Sequence, residues 1–368
     1  MSWVVVDAVT YDLHAEGTAF LFQLRSRGLS VNTERTYGGR VALYLSHCAA
    51  NGVGWANPTL NQLARFLHWL VDEPLPPRGR KTPLEPRFRS KATANAVLTT
   101  VCEFLRFGAR CGWVRDEVVS RLSSEKYLSH LPAGYDAGED GQFRTVRARE
   151  IKFKVEDEGI EWLTPDQVEE VIGATTRHRD RFLVSLLWVT GVRIGEALGL
   201  RREDMHFLSN SRSLGCNVEG PHLHVRRRLN TNGALAKSPR SRSIPVTEGL
   251  VELYTEYLHE RVAVREAAES DMVFVNLFRG PLGRPMTYAG AKDLFDRLLK
   301  RVGFTVRPHM MRHSAATAWI REGQPRDVVQ DLLGHQSPSS LDVYVHASDT
   351  DKRAAVERVA AARETAHE

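Results

Sequence analysis

The sequence predicts a mostly α protein with a small antiparallel β-sheet, divided between two domains. Three observations carry this expectation. At 368 residues the chain exceeds what one core usually organises. Apolar residues recur at three- and four-residue intervals along most of it, the period of a helix with one buried face. One pair of short segments, PHLHVRRRLN and SRSIPV, has strand character on either side of the turn-rich stretch TNGALAKSP, which predicts a β-hairpin.

The elements follow in order. From Ala15 to about Val114, AFLFQL, TYGGRVALYLSHC, LNQLARFLHWLV and ATANAVLTTVCEFLRFGARCG each have helical periodicity. Gly28 to Asn32, NGVGWANP and DEPLPPRGRKTPLEP separate them, giving a four- or five-helix domain over 1–115. Residues 116–158 read as a linker broken at PAGYDAGEDGQ. Within it Ile151, Phe153 and Val155 alternate with Lys152 and Lys154, so a basic strand is expected there. A second domain over 159–350 begins at WLTPDQVEEVIGA, where Thr164 is placed to cap a helix that starts with Pro165 and an acidic first turn. RDRFLVSLLWV reads as a buried helix ended by Gly191, and RIGEALGL starts the next. After the hairpin come LVELYTEYLHERV, YAGAKDLFDRLLKRV, MMRHSAATAWIREG and DVVQDLLGH. The tail, 351–368, has a narrow apolar strip of Val356, Val359 and Ala360. It is either a docking helix or a frayed terminus.

Composition removes several classes. MSWVVVDAVTYD lacks the basic region and apolar length of a signal peptide. The longest apolar run, FLVSLLWVTGV, is about half of what a bilayer requires, so a soluble protein is expected. Cys48, Cys102, Cys111 and Cys216 show neither CxxC spacing nor a disulfide framework and read as free thiols. There is no phosphate-binding glycine loop, dinucleotide fingerprint or HExxH pair. His309 and His313 have metal-capable spacing, but no carboxylate or thiol lies near them, and His222 and His224 read as strand residues; no metal site is expected. The net charge of +5 and pI near 9.1 lean towards a polyanionic partner.

What remains is a set of cations spread along the second domain. TGVRIGEALGL places Arg193 just after a helix break and Glu196 three residues on, which alone fits a surface ion pair. KSPRSRSIPV puts Lys237 at the hairpin tip, followed by Arg240 and Arg242, with Arg226 to Arg228 on the opposite strand. No acid lies between His222 and Val246, a pattern that favours nucleic acid over a solvated face. PHMMRHSAATAWI sets His309 and Arg312 on one face of a helix start. Tyr344 sits between His335 and His346 and, alone, reads as a packing residue with a wet hydroxyl.

Taken together, TGVRIGEAL, K-S-x-x-S-R-x-I-P, H-M-M-R-H-S-A-A-T and L-G-H-x8-Y-V-H resemble, in order, the motifs of the tyrosine recombinases, the phage integrase family. The resemblance covers the second domain. LSVNTERTYGGRVALYLSHC is similar to the opening of the family's core-binding domain, and NTNGALAKS with the long linker is most like transposon-encoded members. It implies a helical core-binding domain followed by an α+β catalytic domain. The implied activity is site-specific cleavage and rejoining of double-stranded DNA by a homo-tetramer on two DNA sites. An accessory or partner recombinase is an open expectation, and cofactor, metal and membrane are not implied. The implied setting is the bacterial cytoplasm, on DNA.

Position by position, the resemblance implies Tyr344 as nucleophile, Arg193, Arg312 and His335 as phosphate donors, and His309 as a hydrogen-bonding group able to accept a proton. Lys237 would be the acid for the leaving 5′-oxygen, and Glu196 a brace for the arginines. Leu341 departs from the family's usual Thr, without removing a catalytic group. Arg35, Arg40, Lys91, Arg226, Arg228, Arg240 and Arg242 are the candidate DNA contacts. The chemistry fits these roles: a phenol of pKa near 10 costs about 4 kcal/mol to ionise at neutral pH, so it needs a base and permanent cations beside it. Two other readings stand beside it: a type IB topoisomerase, which shares the chemistry but relaxes DNA as a monomer, and a non-catalytic DNA-binding accessory protein on the same fold.

Overall fold

The computed structural model describes residues 2–77, 85–127, 145–155, 161–236, 238, 240–335, 341 and 344, with the side chains of 213 and 214 excepted. The chain divides into two compact units, the first through 132 and from 136 to 157, the second from 158 onwards with residues 133–135.

The first unit is built from α1 (Ala15–Ser26), α2 (Val31–Ala50), α3 (Leu60–Asp72), α4 (Lys91–Arg110) and α5 (Asp116–Ser120). Each long helix starts where a side chain can accept an orphan N–H. Ser30 caps α2, Ser90 caps α4, and Thr59 forms a reciprocal capping box with Gln62 at α3. The apolar stripes that set the period meet in one core containing Phe20, Leu24, Val41, Tyr44, Phe66, Leu70, Leu98 and Phe104, all nearly inaccessible. Glu34 is buried beneath it and satisfied by Arg25 and by the Trp3 N–H.

Two expectations for residues 116–158 need correcting. The stretch is not a bare linker: α5 and an antiparallel pair, β1 (Ser123–Tyr127) with β2 (Thr145–Arg149), belong to the first unit. The strand also lies earlier than the alternation at 151–155 suggested. There Ile151 and Phe153 pack on the helical core instead. The Asn95 amide closes both backbone groups of Phe153, donating to its carbonyl at 2.9 Å and accepting its N–H at 2.8 Å. A side-chain amide thus takes the place of a partner strand.

In the second unit α6 (Pro165–Gly173) begins with a capping box between Thr164 and Gln167. It leads to α7 (His178–Thr190), which is apolar nearly all round and packs against later helices on several sides. α8 (Ile194–Ala197) follows, then β3 (Met205–His206), β4 (His222–Val225) and β5 (Arg242–Pro245). These form an antiparallel sheet in the order β3-β4-β5, with His206 opposite His222 and Val225 opposite Arg242. The expected hairpin is present, but its strands are shorter than the sequence suggested. β4 ends at Val225, so Arg226 to Arg228 lie beyond it. There Arg228 turns back to pair with Asp204 and Glu203.

The unit closes with α9 (Glu248–Val262), α10 (Arg265–Ala268), α11 (Tyr288–Val302), α12 (Pro308–Arg321) and α13 (Arg326–Leu333). Its core runs from Phe182, Leu183 and Leu187 on α7 to Leu223, Ile244, Tyr257, Phe274, Phe295 and Met311. Arg261 is buried against four carbonyls, those of Met272, Val273, Ala267 and Ser270, and so fixes the turn between α10 and α11 without a carboxylate. Among the described residues, no helix is long and apolar enough to cross a membrane. The 351–368 tail lies outside the described residues.

Candidate active site

The site is assembled at the C-terminal end of α13. Gly334 and His335 close that helix, the Gly334 N–H donating to Asp331 O and the His335 N–H to Gln330 O, with Gly334 in the left-handed region at φ 62°. Among the described residues, that capping pattern leaves the last two carbonyls, Leu332 and Leu333, without backbone donors. Three guanidinium groups take them. Arg242 Nε donates to Leu332 O at 3.0 Å, and Arg312 Nη2 and Arg193 Nη1 donate to Leu333 O at 2.8 and 3.4 Å. Cations at a helix C-terminus are favoured by its partial negative charge, which draws the three together. Gly334 is also needed for room, since a Cβ there would lie 2.7 Å from Arg242 Nη1.

Each arginine has a second anchor. Gly191 ends α7 at φ 59°, and its carbonyl accepts from Arg312 Nη1 at 2.6 Å. Arg193 precedes α8, where Glu196 accepts both its N–H at 2.9 Å and its Nη1 at 3.2 Å. Arg242 reaches the other side of the same carboxylate, Nη2 to Oε2 at 2.8 Å and Nη1 to Oε1 at 3.3 Å. Burial pushes the Glu196 carboxyl up, but the hydrogen bonds and charge of Arg242, with Arg193, outweigh it and hold the group below the usual carboxylate range.

Arg312 is 1% exposed. Burial, then the nearby Arg193 charge, brings it down to about 10, so it remains a cation at neutral pH. Its Nη2 lies 2.9 Å from His335 Nε2. Arginine has no acceptor, so His335 Nε2 must accept, and the imidazole proton sits on Nδ1. That Nδ1 is buried and has no hydrogen-bond partner among the described residues. Burial first, then Arg312, pushes His335 down to about 4, so the ring is neutral. Among the described residues, the pocket therefore holds three guanidinium groups, one carboxylate and an N–H donor with no partner, a net positive set.

Tyr344 lies against this cluster in a small apolar nest with Ala316, Val329, Leu333 and Leu341. Its ring stacks on His335 with an 8° tilt, and its hydroxyl is 3.0 Å from His313 Nδ1. Burial raises the phenol, and the pull of Arg312 and Arg193 only partly offsets it. His313 is itself pushed down to about 4, by burial and then by His309, whose ring centroid is 4.2 Å away. A neutral His313 can take a proton. In the sequence His313 has only metal-capable spacing with no supporting ligand; its place one turn beyond His309 and next to Arg312 is the signal of a site residue.

The structure thus brings together Arg193, Glu196, Arg312, His335 and Tyr344, and adds Arg242 and His313. His309 sits at the exposed start of α12 beside His313. Lys237 and His346 lie outside the described residues. Arg242 requires correction as a DNA contact: it is 9% exposed and committed to Glu196. Arg228 is spent on Asp204 and Glu203, and Arg226 leans towards Asp204 at 3.7 Å. Arg240 is exposed. In the first unit Arg40 donates inward to Ala96 O and Thr100 Oγ1, Arg35 lies over Trp3 and Lys91 over Phe153.

These pKa directions fix how stability depends on pH. His313 and His335 are held below the ordinary 6.5, so the unfolded chain binds more protons than the folded one between about 4 and 6.5. Their contribution to stability is present above that window and is lost as pH falls through it. The depressed Glu196 adds loss at still lower pH. We expect the thermal midpoint to fall steadily below about pH 6.5; a midpoint flat down to pH 4 contradicts the site as described.

A carboxylate bracing two arginines, a third buried guanidinium, a neutral imidazole and a buried phenol make a cationic pocket of the kind that suits a phosphate group. Residues 161–351 match the phage integrase family. The chain is 30% identical over 351 residues to transposase A from transposon Tn554 of Staphylococcus aureus, covering 93% of this chain and 90% of the relative. It is 29% identical over 335 residues to the tyrosine recombinase XerC of Oceanobacillus iheyensis, covering 89% and 90%. Among solved structures, the Tn1549 transposon integrase with a circular intermediate DNA aligns at TM-score 0.62 and 18% identity, covering 94% of this chain and 99% of that one. A lambda integrase dimer bound to a core site aligns at 0.57 and 17%, covering 91% and 95%. The chain belongs to the phage integrase family, and it is a site-specific tyrosine recombinase.

Proposed function

We propose that Tyr344 attacks a scissile DNA phosphate, so that its Oη–P bond forms as the bond to the 5′-oxygen breaks. The products are a 3′-phosphotyrosyl link and a free 5′-hydroxyl. The phenolic proton passes to His313, whose Nδ1 lies 3.0 Å from the hydroxyl, with His309 behind it. Arg193 and Arg312 hold the non-bridging oxygens, and His335 Nδ1–H supplies the third donor. Lys237 gives its proton to the leaving 5′-oxygen. Glu196 and Arg242 keep Arg193 in place. The reverse attack by a 5′-hydroxyl rejoins the strand, and because the ester conserves the bond energy, no ATP is consumed.

The observation that carries this reading is the convergence in one pocket of a buried His335 Nδ1 with no partner among the described residues, two anchored guanidinium groups and the Tyr344 hydroxyl. The DNA is double-stranded and carries the recombination sites, and four copies act on two of them, with or without a partner recombinase; the likeness to an integrase solved with a circular intermediate DNA supports a DNA partner. Arg35 and Arg89 line an open groove between α2 and α4, with Arg40 turned inward at its floor, and this groove supports a phosphate-facing role for the first unit. A mobile-element enzyme working on cytoplasmic DNA fits the transposase likeness.

A nicked suicide substrate carrying the element's end sequence tests this. The wild-type chain should trap a covalent protein–DNA adduct, and Tyr344→Phe should form none; an adduct from the Phe variant overturns the assignment. His313→Ala should slow trapping more than His309→Ala, since of these two histidines it is His313 that lies within hydrogen-bond distance of the hydroxyl. Equal effects would move the proton acceptor elsewhere.

A further inference from the structure

A second cluster of chemistry lies in the same unit, on the sheet whose third strand carries Arg242. His206 on β3, His222 and His224 on β4, and Cys216 in the loop between those strands place four donor atoms within 4.8 Å of one another. His206 and His222 are directly paired across the sheet, and His224 lies two residues on, on the same face. Cys216 Sγ is 3.3 Å from His222 Nε2 and 3.4 Å from His224 Nε2, and those two nitrogens are 3.2 Å apart.

The far side of two rings settles which nitrogens are bare. His222 Nδ1 meets the Gly220 carbonyl at 2.7 Å, and His206 Nε2 meets the Glu203 carbonyl at 3.2 Å. A carbonyl only accepts, so each of these nitrogens carries the proton and the other nitrogen of each ring is a lone pair. His206 Nδ1 is buried and has no hydrogen-bond partner among the described residues. Two lone pairs and a thiol converging without a donor for each is a costly arrangement unless a cation completes it. Backbone carbonyls that fix the tautomer of a ligating histidine are the usual outer support of such a centre.

We propose that His206, Cys216, His222 and His224 bind one zinc ion. Tetrahedral zinc with nitrogen at about 2.0–2.1 Å and sulfur at about 2.3 Å has N···N edges of about 3.3 Å and N···S edges of about 3.6 Å. The observed 3.2, 3.3 and 3.4 Å lie close to those edges. His206 has to move in slightly to complete the set. Four protein ligands leave no open position, so the ion is structural. It ties β3, the 207–221 loop and β4 together. β4 is the strand that pairs with Arg242, so the ion stiffens the sheet that carries the brace on Glu196. The thiol gives up its proton on binding.

The test uses the untagged full-length chain purified without chelator. Elemental analysis should find one zinc per chain, and the double variant Cys216→Ser, His224→Gln should hold at least tenfold less. Chelator should lower the thermal midpoint of the wild-type chain, and zinc should restore it. If the double variant does not fold, cobalt(II) added to the chelator-treated wild-type chain decides: a thiolate-to-cobalt charge-transfer band with tetrahedral visible bands supports the site. Absence of that band, a metal-free wild-type chain indifferent to added zinc, or zinc retained undiminished by the double variant overturns it.

Discussion

Arg312→Lys is expected to reduce covalent adduct formation by roughly a hundredfold or more, the usual cost of losing one preorganised donor at a phosphoryl centre. The reason is geometric. One planar guanidinium simultaneously reaches Gly191 O, Leu333 O and His335 Nε2, while still presenting charge to the pocket. A lysine ammonium is a point charge and cannot hold those three acceptors in one plane. Releasing His335 Nε2 also frees that ring to turn, so its Nδ1–H loses its aim. Pre-steady-state trapping on a suicide substrate measures the effect. A Lys variant within a few-fold of wild type would mean that Arg312 supplies charge alone, without positioning.

Arg242→Met is expected to destabilise the second unit by about 3–5 kcal/mol, because it strands the Glu196 carboxylate in the interior. Glu196 is 3% exposed and takes two bonds from Arg242 against one side-chain bond from Arg193. Urea unfolding reads the loss directly. The basic run KSPRSRSIPV makes the opposite forecast: an Arg on DNA would leave folding intact and lower the salt dependence of binding by about one ion. Unchanged unfolding with a reduced salt slope would restore Arg242 to the DNA surface and remove it from the brace. Adduct formation should fall as well, since Arg193 shares the carboxylate that Arg242 holds.

The contrast shows where the sequence is legible. The long helices were readable because burial of one face imposes a period that survives in the residues, and Gly191, Thr164 and Gly334 mark their ends chemically. The catalytic motifs were readable through their order along the chain. Charge sign, by contrast, says nothing about direction. Arg226, Arg228, Arg240 and Arg242 look alike in a basic run, and only tertiary packing sends Arg242 inward to Glu196 and Arg228 to Asp204 while Arg240 stays exposed. The alternation of Ile151, Phe153 and Val155 misled for a similar reason: a period of two records which side faces a core, and here the partner is Asn95 on a helix.

His313 and the His206–Cys216–His222–His224 cluster were hidden more deeply. Their members meet through the Tyr344 hydroxyl in one case and through the β3–β4 register in the other, so the visible spacings of His309 to His313 and of His222 to His224 do not reveal the distant partner. The same holds for the link from α13 to the arginines. L-G-H in sequence is a motif. In the fold it is a helix end whose last two carbonyls gather Arg193, Arg242 and Arg312.

Everything in the catalytic reading depends on Tyr344 being the atom donor to phosphorus. The measurement that addresses it most directly is peptide mapping of the trapped adduct: protease and nuclease digestion, followed by fragmentation of the nucleotide-bearing peptide. The account predicts a single phosphodiester-linked residue, Tyr344, in the peptide that spans Leu341 to His346. A nucleotide attached to any other tyrosine, serine or histidine, or no covalent linkage under conditions that cleave the DNA, would contradict it.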